Sequence, residues 1–174
     1  LYAIYPLAVQ QSAMFYPTAF QVASISAAFA FMAGGPHFAT GAADAAEGVG
    51  DEEFVHRTLY PVLKTVVEHY RTGTRFNIGM DQDGLIQAGS RGLQLTWMDA
   101  KVGDWVVTPR RGKPVEINGL WYNALRLLSG LSKRFGRPDP YAELAGRTRE
   151  SFEKVFWNPD RECLFDVVTN EGRD

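Results

Sequence analysis

Three stripes of apolar side chains at helical spacing set the limits on what this chain can fold into. Phe54, Val55, Leu59, Val62, Leu63, Val66, Val67 and Tyr70 recur at three- and four-residue steps, the interval that gathers side chains on one face of an α-helix. Asp51-Glu52-Glu53 places acids at the start of this stripe, where the helix dipole favours them. Gly73 ends it, and Pro61 either opens a second helical segment or kinks the first. The second stripe runs through Ile117, Leu120, Trp121, Ala124, Leu125, Leu128, Leu131 and Phe135. Pro114 stands where a first helical turn tolerates it, and Gly136 and Pro138 close the helix. Asp139-Pro140 is an N-cap and first-turn signal for the third, which carries Tyr141, Leu144, Ala145, Phe152, Val155 and Phe156 to a stop at Asn158-Pro159. Residues 74 to 93 read as short strands and turns, and residues 164 to 168 as a strand-like run. The pattern predicts an all-α architecture of packed helical hairpins with short strands in the loops. It is still running where the sequence stops, which predicts part of a larger domain.

Composition narrows the partners. Eighteen basic and 20 acidic residues leave a net charge of −2, which gives no electrostatic case for nucleic acid or an anionic membrane. The basic residues between 71 and 75 and between 101 and 113 read as solvated loop charges, with Lys101 placed to pair with a nearby acid. One cysteine, Cys163, excludes an internal disulfide and fits a reducing cytoplasm. His56 and His69 have no second ligand at metal spacing and read as helix-surface residues. Asp81-Gln82-Asp83-Gly84 resembles the start of a calcium loop, but the downstream bidentate Glu is missing, so a hairpin turn is expected. The run from Ala88 to Gly92 lacks the Gly-Lys-Ser/Thr ending of a phosphate loop. No metal and no cofactor are expected.

Residues 1 to 49 form an atypical leader. The first 43 contain no Lys, Arg, Asp or Glu, and about 14 of them, residues 20 to 33, form an apolar run before Gly34-Gly35. That is short of the ~20 residues that cross hydrocarbon, and no basic segment precedes it as in a signal peptide. A buried helix followed by a Gly/Ala-rich loop is the expectation, with the clearer domain text occupying residues 50 to 174.

The chemistry concentrates in residues 94 to 123. Three carboxylates (Asp99, Asp104, Glu116), three of the four tryptophans (Trp97, Trp105, Trp121), Tyr122, Asn118 and Asn123 lie in this window. Indole faces pack on the C–H faces of a sugar ring, while carboxylates and amides take its hydroxyls. A buried carboxyl with a raised pKa can protonate a glycosidic oxygen. The same residues also describe an aromatic-rich core segment whose acids are helix caps and surface charges, with Glu116 serving the helix dipole. A non-catalytic glucan-binding module of helical hairpins is compatible with the pattern as well.

Several of these runs resemble the glucosidase domain of glycogen debranching enzymes (amylo-α-1,6-glucosidase). They are Gly-Asp-Glu-Glu-Phe at 50–54, Leu-Tyr-Pro-Val-Leu at 59–63, Asp-Gly-Leu-Ile at 83–86, Gln-Leu-Thr-Trp-Met-Asp-Ala-Lys at 94–101 and Gly-Lys-Pro-Val-Glu-Ile-Asn at 112–118, continuing through Leu-Trp-Tyr-Asn-Ala-Leu to 125. The resemblance implies a partial (α/α)6 toroid and an inverting hydrolase that removes the α-1,6-linked glucose left at a trimmed branch point of glycogen. Trehalase- or invertase-like hydrolysis within the same toroid class is the neighbouring alternative. Carried onto this sequence, the aspartate of Thr-Trp-Met-Asp-Ala is Asp99, the general acid. Trp97, Asp104, Trp105, Glu116, Asn118 and Trp121 are candidates for the glucose pocket. Its implied partners are a branched α-glucan and the remainder of the domain, in the cytoplasm. Two departures accompany the likeness. Residues 1 to 49 hold no Asn-x-x-Asp-Ala-x-x-Trp-type segment. The second carboxylate that an inverting mechanism needs is expected beyond Asp174, with Asp166 structural, so that these 174 residues are expected to be inactive alone.

Overall fold

A computed structural model describes residues 52–89, 93, 96, 101–107, 109–169 and 172–173 of the chain. The architecture is mostly helical, with short strands between the helices. The first helical element begins as a single turn at Glu52–Phe54, widens into a π-helical stretch at Val55–Leu59, and continues as helix α1 (Tyr60–Thr72). Pro61 explains the widening. Its ring would clash with the carbonyl of Arg57, and it has no N–H to offer. The chain therefore takes on one extra residue just upstream, where the Tyr60 N–H bonds the Val55 carbonyl, five residues back. Of the two sequence readings of Pro61 the first holds: an α segment starts at Tyr60, with the proline in its first turn.

Helix α2 (Val115–Arg134) and helix α3 (Tyr141–Phe156) form an antiparallel hairpin, with α1 packed against α2. The α2 face made by Asn118, Trp121, Leu125, Leu128 and Ser132 is buried throughout. It meets Tyr60, Leu63, Val67 and Tyr70 from α1, and Tyr141, Leu144 and Ala145 from α3. A smaller cluster of Leu85, Phe156 and Val168 closes the other end. Asp139 caps α3 as expected: its Oδ1 accepts the backbone N–H groups of Tyr141 (3.2 Å) and Ala142 (3.1 Å). Its Oδ2 accepts the Ser129 hydroxyl at 2.7 Å and so ties the cap to α2.

Among the described residues the short strands form three two-stranded ribbons and one three-stranded sheet. Strand β1 (Gly79–Met80) pairs with β2 (Ile86–Gln87) around the turn at residues 81–84, as the sequence predicts. The line of β2 continues into a mutual bridge between Ala88 and Gly112, with both N–H···O distances at 2.8 Å. Strands β3 (Lys101–Val102) and β4 (Trp105–Val106) make a separate hairpin. Strand β5 (Lys113–Pro114) leads directly into α2, so Pro114 ends a strand instead of lying within the first helical turn. Past α3, β6 (Trp157–Asn158) pairs with β7 (Cys163–Leu164), and β8 (Val167–Thr169) joins β5 to β9 (Gly172–Arg173). The run at 164–168 is thus two strands interrupted at Phe165 and Asp166, because each half pairs with a different partner. Among the described residues no helix is long and apolar enough to cross a membrane.

Candidate functional site

The Ala88–Gly112 bridge closes the base of a loop, residues 89 to 111, and that loop carries Trp97, Asp99, Asp104 and Trp105. Asp99 and Trp97 lie outside the described residues. What the structure shows is the frame at the base of this loop, and it is held by side chains from α2 and α3.

Asn118 occupies its centre. Continuing the antiparallel register two places from the Ala88–Gly112 pair sets Ile86 opposite Pro114. A proline cannot return the N–H that this pair requires. Asn118, one turn into α2, repairs the ladder with its own amide. Its Oδ1 accepts the Ile86 N–H at 2.7 Å, and its Nδ2 donates to the carbonyls of Ile86 (3.0 Å) and Pro114 (2.9 Å). The side chain is fully buried, and one amide thereby replaces a missing backbone link.

The turn of the β1–β2 hairpin is clamped in the same manner. The Gly84 carbonyl receives Trp121 Nε1 from α2 and Thr148 Oγ1 from α3, each at 3.0 Å. Ser151 Oγ donates to the Asp83 carbonyl at 2.7 Å. Below the turn, Lys113 Nζ lies 2.8 Å from Asp81 Oδ2 and 2.6 Å from Asp83 Oδ2. The hydrogen bond from Lys113, helped by the Gln82 N–H, holds the Asp81 carboxyl below the usual carboxylate range. Burial alone would lower the lysine's pKa, but the two aspartates outweigh it and keep it above its ordinary value. The Asp-x-Asp-Gly run is therefore a turn whose acids face an internal lysine.

Arg110 forms a second ion cluster. Its side chain is 2 % exposed, with Nη1 donating to Asp166 Oδ2 and Nη2 to Glu116 Oε2. The Asp166 carbonyl also accepts the Val115 N–H at 3.0 Å, in keeping with the structural role expected of that residue. Arg110 and Lys113 correct the reading of this basic stretch as solvated. Each is drawn inward by two carboxylates, three of which are distant in sequence (Asp81, Asp83 and Asp166), while Glu116 lies only six residues from Arg110. Lys101 has a described backbone, but its side chain, and with it the expected pairing with a nearby acid, lies outside what is described.

The sequence-predicted residues thus separate. Asn118 and Trp121 face inward, and their polar atoms bond the β1–β2 hairpin. Glu116 sits at the head of α2 beside Arg110. Asp104 and Trp105 lie at the tip of the β3–β4 hairpin, where Gly103 adopts a left-handed φ of 59° that suits a tight hairpin turn. Trp105 is 65 % exposed opposite Val102, which is 67 % exposed. Sequence reasoning missed Arg110 and Lys113. Their one advance signal was the position of two cations just before a helix that opens on Val115-Glu116.

A family model described as amylo-alpha-1,6-glucosidase matches residues 15–174. The matched span takes in most of the uncharged leader together with the whole of the described frame. Searches of curated proteins and of solved structures return no match to the chain.

Proposed function

Because the chain belongs to the amylo-α-1,6-glucosidase family, we propose that it contributes the acid half of an inverting glycosidase site acting on α-1,6 branch points of a glycogen-like glucan. The observation that carries this reading is the family match across residues 15–174, which includes Thr-Trp-Met-Asp-Ala. The frame supports it: a loop bearing a catalytic carboxyl requires a base that does not shift, since a misplacement of about 1 Å costs on the order of 100-fold in rate.

In this reading Asp99 keeps a proton near neutral pH, with Trp97 excluding water around it, and delivers the proton to the oxygen leaving the branch glucose. Trp105 offers an indole face to the glucan from the hairpin tip, with Asp104 beside it for hydroxyls. Glu116 takes a further hydroxyl. Asn118 and Trp121 act from beneath, by fixing the hairpin on which the site rests. The water-activating carboxylate, ~6.5–9.5 Å from the acid in inverting enzymes, comes from outside these residues. The helices form part of an (α/α)6 toroid, the working environment is the cytoplasm, and the 174 residues alone are inactive.

The test is glucose release from a branched limit dextrin by the full-length protein carrying Asp99→Asn. Loss of a general acid lowers turnover by about 10²–10⁴-fold. Turnover within a few-fold of wild type would remove Asp99 from the chemistry and leave a glucan-binding scaffold.

A further inference from the structure

The Ala88–Gly112 bridge fixes what stands on either side of the loop closure. Antiparallel pairing sets Gln87 beside Lys113 and Gly89 beside Arg111, and alternation along each strand puts these four on one face. On the other flank the Gly89 N–H bonds the Phe76 carbonyl at 3.0 Å, which brings Asn77 alongside. Gly89 has no side chain to fill the middle of this arrangement, and a Cβ there would stand 2.8 Å from Arg111 Cγ. A cavity of about 460 Å³ lies here, a size within the ~300–1,000 Å³ of small-molecule sites. Among the described residues, none of those assigned above to the glucose pocket lines it. Val155 of α3 and Val168 of β8 supply an apolar wall. Phe76 and Asn77 are consecutive non-glycine residues at left-handed φ values of 60° and 56°, a costly conformation that clusters at ligand sites.

The polar groups around the cavity select its ligand. The Lys113 ammonium is occupied by Asp81 and Asp83, and Arg111 engages the protein as well. No carboxylate lines the cavity among the described residues. The side-chain amides of Asn77 and Gln87, by contrast, are accessible and make no hydrogen bond within the protein. Each offers donors and an acceptor together, a pairing that suits the hydroxyls of a neutral sugar better than an anion or a cation. We propose that this cavity is a second carbohydrate subsite, in which Asn77 and Gln87 hold hydroxyls of one pyranose of the α-1,4-linked main chain, with its C–H face against Val155 and Val168. The proposal rests on the reading of the substrate as a branched α-glucan. The closure of the loop, and not the stretch bearing Asp99, forms the cavity, so the contact falls on a sugar other than the one released. Long glucans are thereby favoured over short ones.

The experiment measures calorimetric binding of maltohexaose to the full-length protein as wild type, Gln87→Met and Asn77→Gly. Methionine keeps the volume of Gln87 without its amide, and glycine keeps the left-handed backbone of Asn77. The expected result is roughly three- to tenfold weaker maltohexaose binding in each variant, the loss typical of a hydrogen bond between neutral groups. Inhibition of turnover by glucose, which reads the site of cleavage, stays at its wild-type value. Thermal unfolding checks each fold, and either variant suffices where the other is destabilised. Unchanged maltohexaose affinity overturns the proposal, as does an equal weakening of glucose inhibition. Unchanged maltohexaose affinity with weakened binding of inorganic phosphate would assign the cavity to an anion instead and overturn it as well. Maltohexaose binding needs no turnover, so a failure here leaves Asp99→Asn to report independently on the glycosidase reading.

Discussion

Replacing Asn118 by alanine tests the frame most directly. The side chain is fully buried and supplies three hydrogen bonds, to the Ile86 N–H and to the carbonyls of Ile86 and Pro114. Alanine leaves all three backbone groups without that partner in a site closed to water. A buried polar group abandoned in this way costs about 1–3 kcal/mol. The Ile86 N–H has one hydrogen to give and suffers most, while carbonyls with two lone pairs suffer less. The sum is roughly 3–6 kcal/mol, a large share of the ~5–15 kcal/mol that keeps a domain folded. Asn118→Asp sharpens the test. It retains an acceptor for the Ile86 N–H but turns a carboxylate toward two carbonyl oxygens, so it should destabilise at least as strongly at neutral pH and recover partly in acid. Denaturant unfolding followed by tryptophan fluorescence, with amide exchange at Ile86, reads both effects. A loss below about 1 kcal/mol for Asn118→Ala, the range of surface changes, would refute the ladder-repair argument. Unaltered stability with weakened glucan binding would instead return Asn118 to the sugar pocket.

Two further outcomes follow from the same ladder. Gly112 has a φ of 112°, and a Cβ there would stand 2.5 Å from the Val168 carbonyl oxygen. Gly112→Ala should therefore cost about 2–4 kcal/mol and accelerate amide exchange at Ala88 and Gly112; unchanged exchange would show the bridge to be unimportant. Lys113→Met removes the cation between Asp81 and Asp83 and should cost about 1–2 kcal/mol at pH 7, an amount reduced because the Asp81 side chain is 35 % exposed. Asp81 has a lowered pKa in the folded state, so its contribution is present above its unfolded value and is lost as pH falls through the folded one. The gap between wild type and variant should narrow below about pH 4. Lys113, whose pKa is raised, loses its own contribution as pH rises through the folded value. Thermal unfolding from pH 3 to 8 checks the acid side, and a gap independent of pH would refute it.

The helices were legible because their information is local. The spacing of Ile117, Leu125 and Leu128, the Asp139 cap and the Asp-Gly turn at 83–84 each act within a few residues. The frame was less legible because its bonds join residues far apart. Asn118 meets Ile86 at a separation of 32 residues, Trp121 meets Gly84 at 37, and Arg110 meets Asp166 at 56. One clue was nevertheless present. Asn118 falls in step with Trp121, Leu125 and Leu128 on the buried face of α2, and an amide on such a face is normally satisfied by its own protein. Reading it by its nearness to Glu116 favoured a sugar contact; reading it by helical phase favours the packing that the structure displays. Asp99 gave a sequence motif, and its surroundings lie outside the described residues.

The wide turn before Pro61 governs what enters the core at its amino-terminal end. On a uniform α-helix, Val55 and Tyr60 would point about 140° apart, and His56, one α-turn before Tyr60, would be delivered to the interior instead. The additional residue rotates the valine into that position. The imidazole is carried to the rim, where it stacks on Phe135 with ring centroids 4.3 Å apart. Excising a single residue from this turn would therefore exchange an oily plug for a titratable ring.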